Sequence, residues 1–279
     1  MSIRRPARHR LSGAPSSRRV LLRMAAGALL WPTLVPLSAQ ARLALATAIN
    51  ITARYRALSQ RAAKVYGLLV LQVGPARSRD LLEGVRKQLR DGLRALDGQG
   101  WPPAVVRLLV EVQQAAGQLD ALLAQAPTRD TWQVVGKQAD HLLASADQAT
   151  QALEQLAQAP SARLVNTAGR QRMLSQRLAR HYGLAAAGLG SDAGRRQMRD
   201  DAAEFERALA QLDAAPISTP AIRAALELGR GQWMFFQAAL KRAPDARGLD
   251  DVASTSERLL QVMDELTGLY EGALRDVLG

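Results

Sequence analysis

One segment of this chain is written twice, 116 residues apart. Residues 49–68 read INITARYRALSQRAAKVYGL and residues 165–184 read VNTAGRQRMLSQRLARHYGL. Asn50, Arg54, Arg56, Leu58, Ser59, Gln60, Arg61, Ala63, Tyr66, Gly67 and Leu68 recur as Asn166, Arg170, Arg172, Leu174, Ser175, Gln176, Arg177, Ala179, Tyr182, Gly183 and Leu184. Eleven identities in twenty positions at one offset mark an internal duplication. A duplicated core would keep mainly its apolar pattern. Here the polar and charged residues are kept, so the repeat predicts both a fold built from two like halves and a shared polar task.

Breakers cut the chain into pieces that obey the same repeat. Helices are predicted over about 43–73, 78–97, 103–125 and 130–157, ended by Gly74-Pro75, Gly98-Gln99-Gly100, Pro127 and Pro160. Ser161 is expected to cap the next helix, which Gly188 and Gly190 close. Ser191 and Thr219-Pro220 open two more, closed by Pro216 and Pro244, and a last helix covers about 247–277. Abundant alanine, leucine and glutamine, with no β-branched runs, favour helices throughout. Long helices on short loops pack as antiparallel neighbours. The expected fold is therefore all-α, two tandem up-down four-helix bundles over 42–158 and 161–279.

Residues 1–41 read as an export leader rather than as part of the fold. Seven arginines and no acid precede a modest apolar stretch from Met24 to Leu37, which ends in the small-x-small site Ala39-Gln40-Ala41. Ser17-Arg18-Arg19-Val20-Leu21-Leu22-Arg23 resembles a twin-arginine signal; an ordinary secretory signal is the alternative. Cleavage after Ala41 and a periplasmic location are expected. The full chain has 37 basic and 25 acidic side chains, +12. Without the seven leader arginines 30 remain against 25, or +5, a weak field for nucleic acid. There is no cysteine, so an oxidising compartment is tolerated.

The repeated helix carries two stripes. Ile51, Tyr55, Leu58, Ala62, Val65 and Leu69 share one face, expected to be buried within the first module. Ala53, Arg56, Gln60, Ala63 and Gly67 share a second, matched by Gly169, Arg172, Gln176, Ala179 and Gly183. Small residues let another backbone approach. If the copies face each other, Arg56 and Arg172 meet, and two guanidiniums in a desolvated seam repel. A small planar anion between them would relieve this, and the guanidinium fork suits planar oxyanions. No acid falls between Ala41 and Asp80, or between Glu154 and Asp192. Arg54, Arg56, Arg61, Arg170, Arg172 and Arg177 therefore lack partners on their own helices; Asp140 or Asp147 could serve from elsewhere.

NTAGRQRMLSQRLAR, within residues 166–180, resembles the N-terminal sensor domain of type IV pilus methyl-accepting chemotaxis transducers (PilJ-like). It is also similar to the P-box of NarX-type nitrate/nitrite sensor kinases. The second copy matches over Asn166–Tyr182. The first matches over Asn50–Tyr66 but has Ala53-Arg54-Tyr55-Arg56-Ala57 where the family prefers a Gly- and Met-containing run. The resemblance implies a periplasmic four-helix bundle whose first helices pair around one anion. Its anion-binding arginine corresponds to Arg172 and Arg56, its glycine to Gly169 and, with a departure, Ala53. The later motif arginine aligns with Arg61 and Arg177; these, with Arg54, Arg170, Gln60 and Gln176, are expected to support the site. No membrane helix, kinase or coiled coil follows the second copy, so a detached tandem sensor is expected. It would be a monomer with pseudo-two-fold symmetry that binds nitrate or nitrite and signals to a membrane-bound sensor, transducer or transporter.

A helical interaction or adaptor protein without a small ligand, tied to a chemotaxis, pilus or two-component system, is the competing reading. An enzyme has little support. His141 and His181 sit in no metal-ligand spacing and no nucleophile-base pairing is legible. Neither a cofactor nor a metal is expected. Trp132, Trp233 and the run Met234-Phe235-Phe236 are expected as core anchors.

Overall fold

The computed structural model describes residues 39–217 and 219–278. The leader expected over 1–41 lies, up to residue 38, outside them. Among the described residues the chain is all-α, with eight α-helices and no strand. They are α1 (Ala39–Val70), α2 (Pro75–Asp91), α3 (Pro103–Leu123), α4 (Arg129–Ala157), α5 (Pro160–Ala186), α6 (Asp192–Asp213), α7 (Pro220–Leu240) and α8 (Ala246–Leu278). No helix among the described residues is long and apolar enough to cross a membrane.

The helix boundaries follow local chemistry. Thr128, Ser191 and Thr219 cap α4, α6 and α7 by accepting from the backbone N–H of Thr131, Gly194 and Ile222. Proline opens α2, α3, α5 and α7, where its missing N–H costs nothing. Two boundaries differ from expectation. Ser161 does not cap α5: Pro160 already occupies the first turn and Ala159 stands at the cap. The second helix stops at Asp91 rather than near 97, and Arg94–Leu96 form a short 3-10 turn instead. Gly92, just past the end of α2, leaves room for the Tyr55 hydroxyl, which a methyl group there would meet at 2.7 Å.

The two copies of the repeat, α1 and α5, occupy the centre. Each packs on the other; α4 lies mainly along α1 and α8 mainly along α5. Helices α2 and α3 lean on α1 and α4, and α6 and α7 on α5 and α8. Contacts advance in the same direction along α1 and α5. Ala53 meets Gly169, and farther on Trp132 lies against both Gly67 and Gly183, so the two central helices run parallel. Both stripes of α1 are buried apart from the edge at Ile51, because a central helix has neighbours on nearly every side.

The recurring tyrosines fasten the far loops. The Tyr66 hydroxyl donates to Ala126 O at 2.9 Å and the Tyr182 hydroxyl to Ala243 O at 2.8 Å. Trp132 fills the core beside Gly67 and donates its indole N–H to Ala63 O at 2.8 Å. Trp233 stacks on Phe205 with centroids 4.1 Å apart, and Phe236 is fully buried. Met234 and Phe235 are not core anchors: they are 62 % and 60 % exposed. On a helix with one buried face, Trp233 and Phe236 share that face and the residues between them turn outward.

Candidate functional site

The seam between α1 and α5 brings the paired arginines together. Arg56 and Arg172 are each 1 % exposed. Both reach one bare spot of backbone at Gly169. A methyl group there would sit 3.0 Å from Arg172 Nη2, 3.7 Å from Arg56 Nη2 and 3.1 Å from the Ala53 Cβ. The missing side chain at Gly169 is therefore what lets Arg172 fold back across its own helix while Ala53 approaches.

The contacts of the two arginines are reciprocal. Arg56 Nη1 donates to Asp147 Oδ1 at 2.7 Å, and its Nη2 to Asn166 Oδ1 at 2.6 Å. Arg172 Nη1 donates to Asp264 Oδ1 at 2.5 Å, and its Nη2 to Asn50 Oδ1 at 2.9 Å. Each asparagine belongs to the opposite copy and gives its own amide N–H to a carboxylate. Asn50 donates to Glu271 at 2.5 Å, and Asn166 donates to Glu154. Among the described residues Arg56 Nε has no hydrogen-bond partner, whereas Arg172 Nε reaches Gly169 O at 3.4 Å.

Farther along the seam the same exchange is made by different residues. Lys64 donates to Glu257 at 2.5 Å. Its counterpart Arg180 donates to Asp140 at 2.6 Å and to Gln60 Oε1 at 2.8 Å. Gln60 in turn donates to Asp140 at 3.1 Å. Gln176 donates to Ser256 O at 2.9 Å, and its buried Oε1 has no partner among the described residues. Ser59 and Ser175 bond back to the carbonyls of Arg56 and Arg172, at 2.7 and 2.8 Å.

The supporting arginines lie at the rim, and each has a carboxylate on another helix. Arg54 meets Asp264 at 3.2 Å and Arg61 meets Glu257 at 2.5 Å. Arg170 pairs with Glu204, and Arg177 with the fully buried Asp201 at 2.5 Å. Sequence reasoning offered Asp140 and Asp147 as partners from elsewhere, and they hold Arg180 and Arg56; it missed the other carboxylates, together with the parts played by Asn50, Asn166, Lys64 and Arg180. A signal was present. Asp140, Asp147 and Glu154 on α4 are spaced by seven, as are Glu257, Asp264 and Glu271 on α8. Seven residues make two helical turns, so each set forms one acidic stripe. The stripes run antiparallel to the repeats and meet them in three successive rungs.

Burial and charge compete at every rung. Burial pushes the Arg172 guanidinium down to about 10, against the pull of Asp264 and with added repulsion from Arg54 and Arg56. Burial also lowers Arg56, opposed by Asp147. Lys64 falls to about 8, again by burial, with Glu257 opposing. Burial alone would raise Glu257, but Lys64 and Arg61 outweigh it and bring the carboxyl down to about 2. A carboxyl held below its unfolded value of 4.5 contributes stability above that pH. The contribution drains away as pH falls toward about 2. Urea midpoints are therefore expected to fall across this window, and to fall less in Glu257→Gln. Equal slopes for the two proteins would remove Glu257 as the cause.

His181 is half-buried and its pKa is lowered, first by burial. His141 is exposed. No group of residues able to hold a metal occurs among the described residues.

Residues 155–262 match the family described as Type IV pili methyl-accepting chemotaxis transducer N-term, PilJ. One PilJ domain lies in this segment. It takes in the end of α4, then α5 to α7 and the first half of α8, and so contains Asn166, Arg172, Gln176 and Glu257. The first copy of the repeat lies outside the PilJ match, as do Asp264 and Glu271. A PilJ domain is a sensor module and typically non-catalytic. No curated protein and no solved structure matches the chain.

Proposed function

We propose that this chain is a signalling sensor that takes a small oxyanion, nitrate or nitrite, between Arg56 and Arg172 and passes the signal to a separate protein. The reading rests on one observation above others: two guanidiniums, nearly devoid of solvent, converge on the same bare backbone at Gly169. It extends the PilJ domain of 155–262 to a tandem pair of modules, 42–158 and 161–279, that supply the two sides of one site. It also places the mature protein, freed of residues 1–41, in the periplasm as a monomer. A mass in solution corresponding to an obligate dimer would count against that last point.

The seam as it stands is charge-balanced, so an incoming anion competes with Asp147 and Asp264. Both carboxylates can be released into water, because Asp147 is half-buried and Asp264 is 46 % exposed. Each charge-assisted hydrogen bond to the anion contributes about 1.5–3 kcal/mol, and each displaced carboxylate gives up a similar amount. The net affinity is a small difference between the two. The exchange does more than bind. It unties α4 and α8 from the seam, which gives the bound and free proteins different helix attachments and a ligand an equilibrium to bias.

Nitrate at about 100 times its Kd is expected to stabilise the protein by about 2.7 kcal/mol. For a domain of this size that is roughly 5–10 °C in Tm. Asp264→Asn removes a competitor and is expected to enlarge the response, while Arg172→Ala abolishes it. A wild-type protein unmoved by nitrate, nitrite and related oxyanions would end the small-anion reading.

A second reading has one observation in its favour. Leu228, Met234 and Phe235 on α7 are each at least half exposed, as an adaptor surface would need. In that case oxyanions give no shift.

A further inference from the structure

Between α1, α2 and α8 lies a cavity of about 530 Å³ whose lining includes Arg172 and Asp264 of the seam. Five guanidiniums line it from four helices: Arg54 and Arg61 on α1, Arg77 on α2, Arg172 on α5 and Arg258 on α8. The carboxylates among its described lining residues are Glu257 and Asp264. Both are already divided between two cations. Glu257 serves Arg61 and Lys64, each at 2.5 Å; Asp264 serves Arg172 at 2.5 Å and Arg54 at 3.2 Å.

The outer cations are barely compensated. The carboxylate that Arg77 meets is Asp250, 3.9 Å away and itself largely exposed. Arg258 makes no ion pair among the described residues. Five positive charges against two negative leave an excess of about three on the walls. Ala57, Leu58 and Leu260 add an apolar surface between the charges.

These features select a ligand. The volume falls within the range of small-molecule sites, about 300–1,000 Å³. A nitrate-sized ion would leave most of it empty and would engage one end. Guanidiniums interspersed with apolar side chains suit a short carbon body with an oxyanion group at each end. We propose that this cavity binds a small organic anion bearing two or more carboxylate or phosphate groups, with Arg77 and Arg258 holding its outer end and Arg61 its inner end. The proposal does not depend on the seam's ligand, since Arg77 and Arg258 take no part in the seam.

The test is calorimetric titration of the mature protein with citrate, which offers carboxylates alone, and with 3-phosphoglycerate, which adds a phosphate. One equivalent of at least one probe is expected to bind, more weakly as salt is raised. Whichever binds more tightly identifies the preferred group. Arg77→Ala/Arg258→Ala alters two exposed side chains, so the fold is kept, and affinity is expected to fall about ten-fold or more. Unchanged affinity in that variant, or no binding of either probe to wild type, overturns the proposal. Nitrate stabilisation is expected to survive in the same variant. If wild-type protein binds a probe but ignores nitrate, the cavity site stands and the seam reading alone falls.

Discussion

An Asp264→Ala protein is expected to lose about 3 kcal/mol of stability, because the change strands a buried guanidinium. Arg172 is 1 % exposed, and Asp264 holds its Nη1 at 2.5 Å. Without the carboxylate, Arg172 keeps the carbonyl oxygen of Asn50's side chain at 2.9 Å but has no counter-charge on its own rung. Arg54 also loses Asp264, at little cost, since it is 45 % exposed and water replaces the partner. Tm is expected to fall by roughly 6–12 °C for a domain of this size. Adding Arg172→Met to Asp264→Ala removes the stranded charge and is expected to recover most of the loss, since a buried pair replaced by apolar groups is often neutral. Thermal and urea unfolding of the single and double variants decide the point. If the double variant is no better than the single, the cost lies in packing and not in the charge.

The second large effect concerns Gly67. A methyl group at this position would lie 2.0 Å from Cζ2 and 2.3 Å from Cε2 of Trp132. The indole cannot step aside, because it is 1 % exposed and its N–H is fixed on Ala63 O. Gly67→Ala is therefore expected to cost about 3 kcal/mol, at the upper end of overpacking. The counterpart Gly183 gives an internal control. A methyl group there would meet Trp132 at 3.6 Å, an ordinary contact, so Gly183→Ala should be nearly neutral. Trp132→Leu in the Gly67→Ala background should restore part of the stability, showing coupling between the two positions. Equal losses at Gly67 and Gly183 would contradict the asymmetry. The same asymmetry shows that the two halves of the repeat fill their cores differently around one shared indole.

Much of the fold was legible because helix ends are marked by local chemistry. Thr219-Pro220 and Ser191 declared their helices, and the breakers gave the number of helices. Ser161 misled because serine is a good cap in general, while Pro160 beside it suits the first turn better. The meeting of Arg56 with Arg172 followed from the small residues beside them. Of their partners Asp147 was among the acids expected from elsewhere, and it holds Arg56, but Asp264 did not follow, because nothing local to Arg172 points to it. The carboxylates lie on α4 and α8, far off in sequence, and their seven-residue spacing is the signal that marks the full set. Met234 and Phe235 were misjudged because large apolar residues are usually interior. A run of four such residues, Trp233 to Phe236, cannot all face one way on a helix.

The three rungs of the ladder limit how the central helices can move. Their acids recur every seven residues, so a slide of α8 along α1 by one turn, about 5.4 Å, leaves no rung in register. The next register in which acids again face their partners is about 10.5 Å away. Small axial displacements thus break all the pairings on one side together. A change that loosens one rung can proceed by swinging or rotating a helix about the rungs that remain. Any message leaving this protein is thus expected to travel as a splay or a twist, with the piston stroke as the motion most strongly opposed.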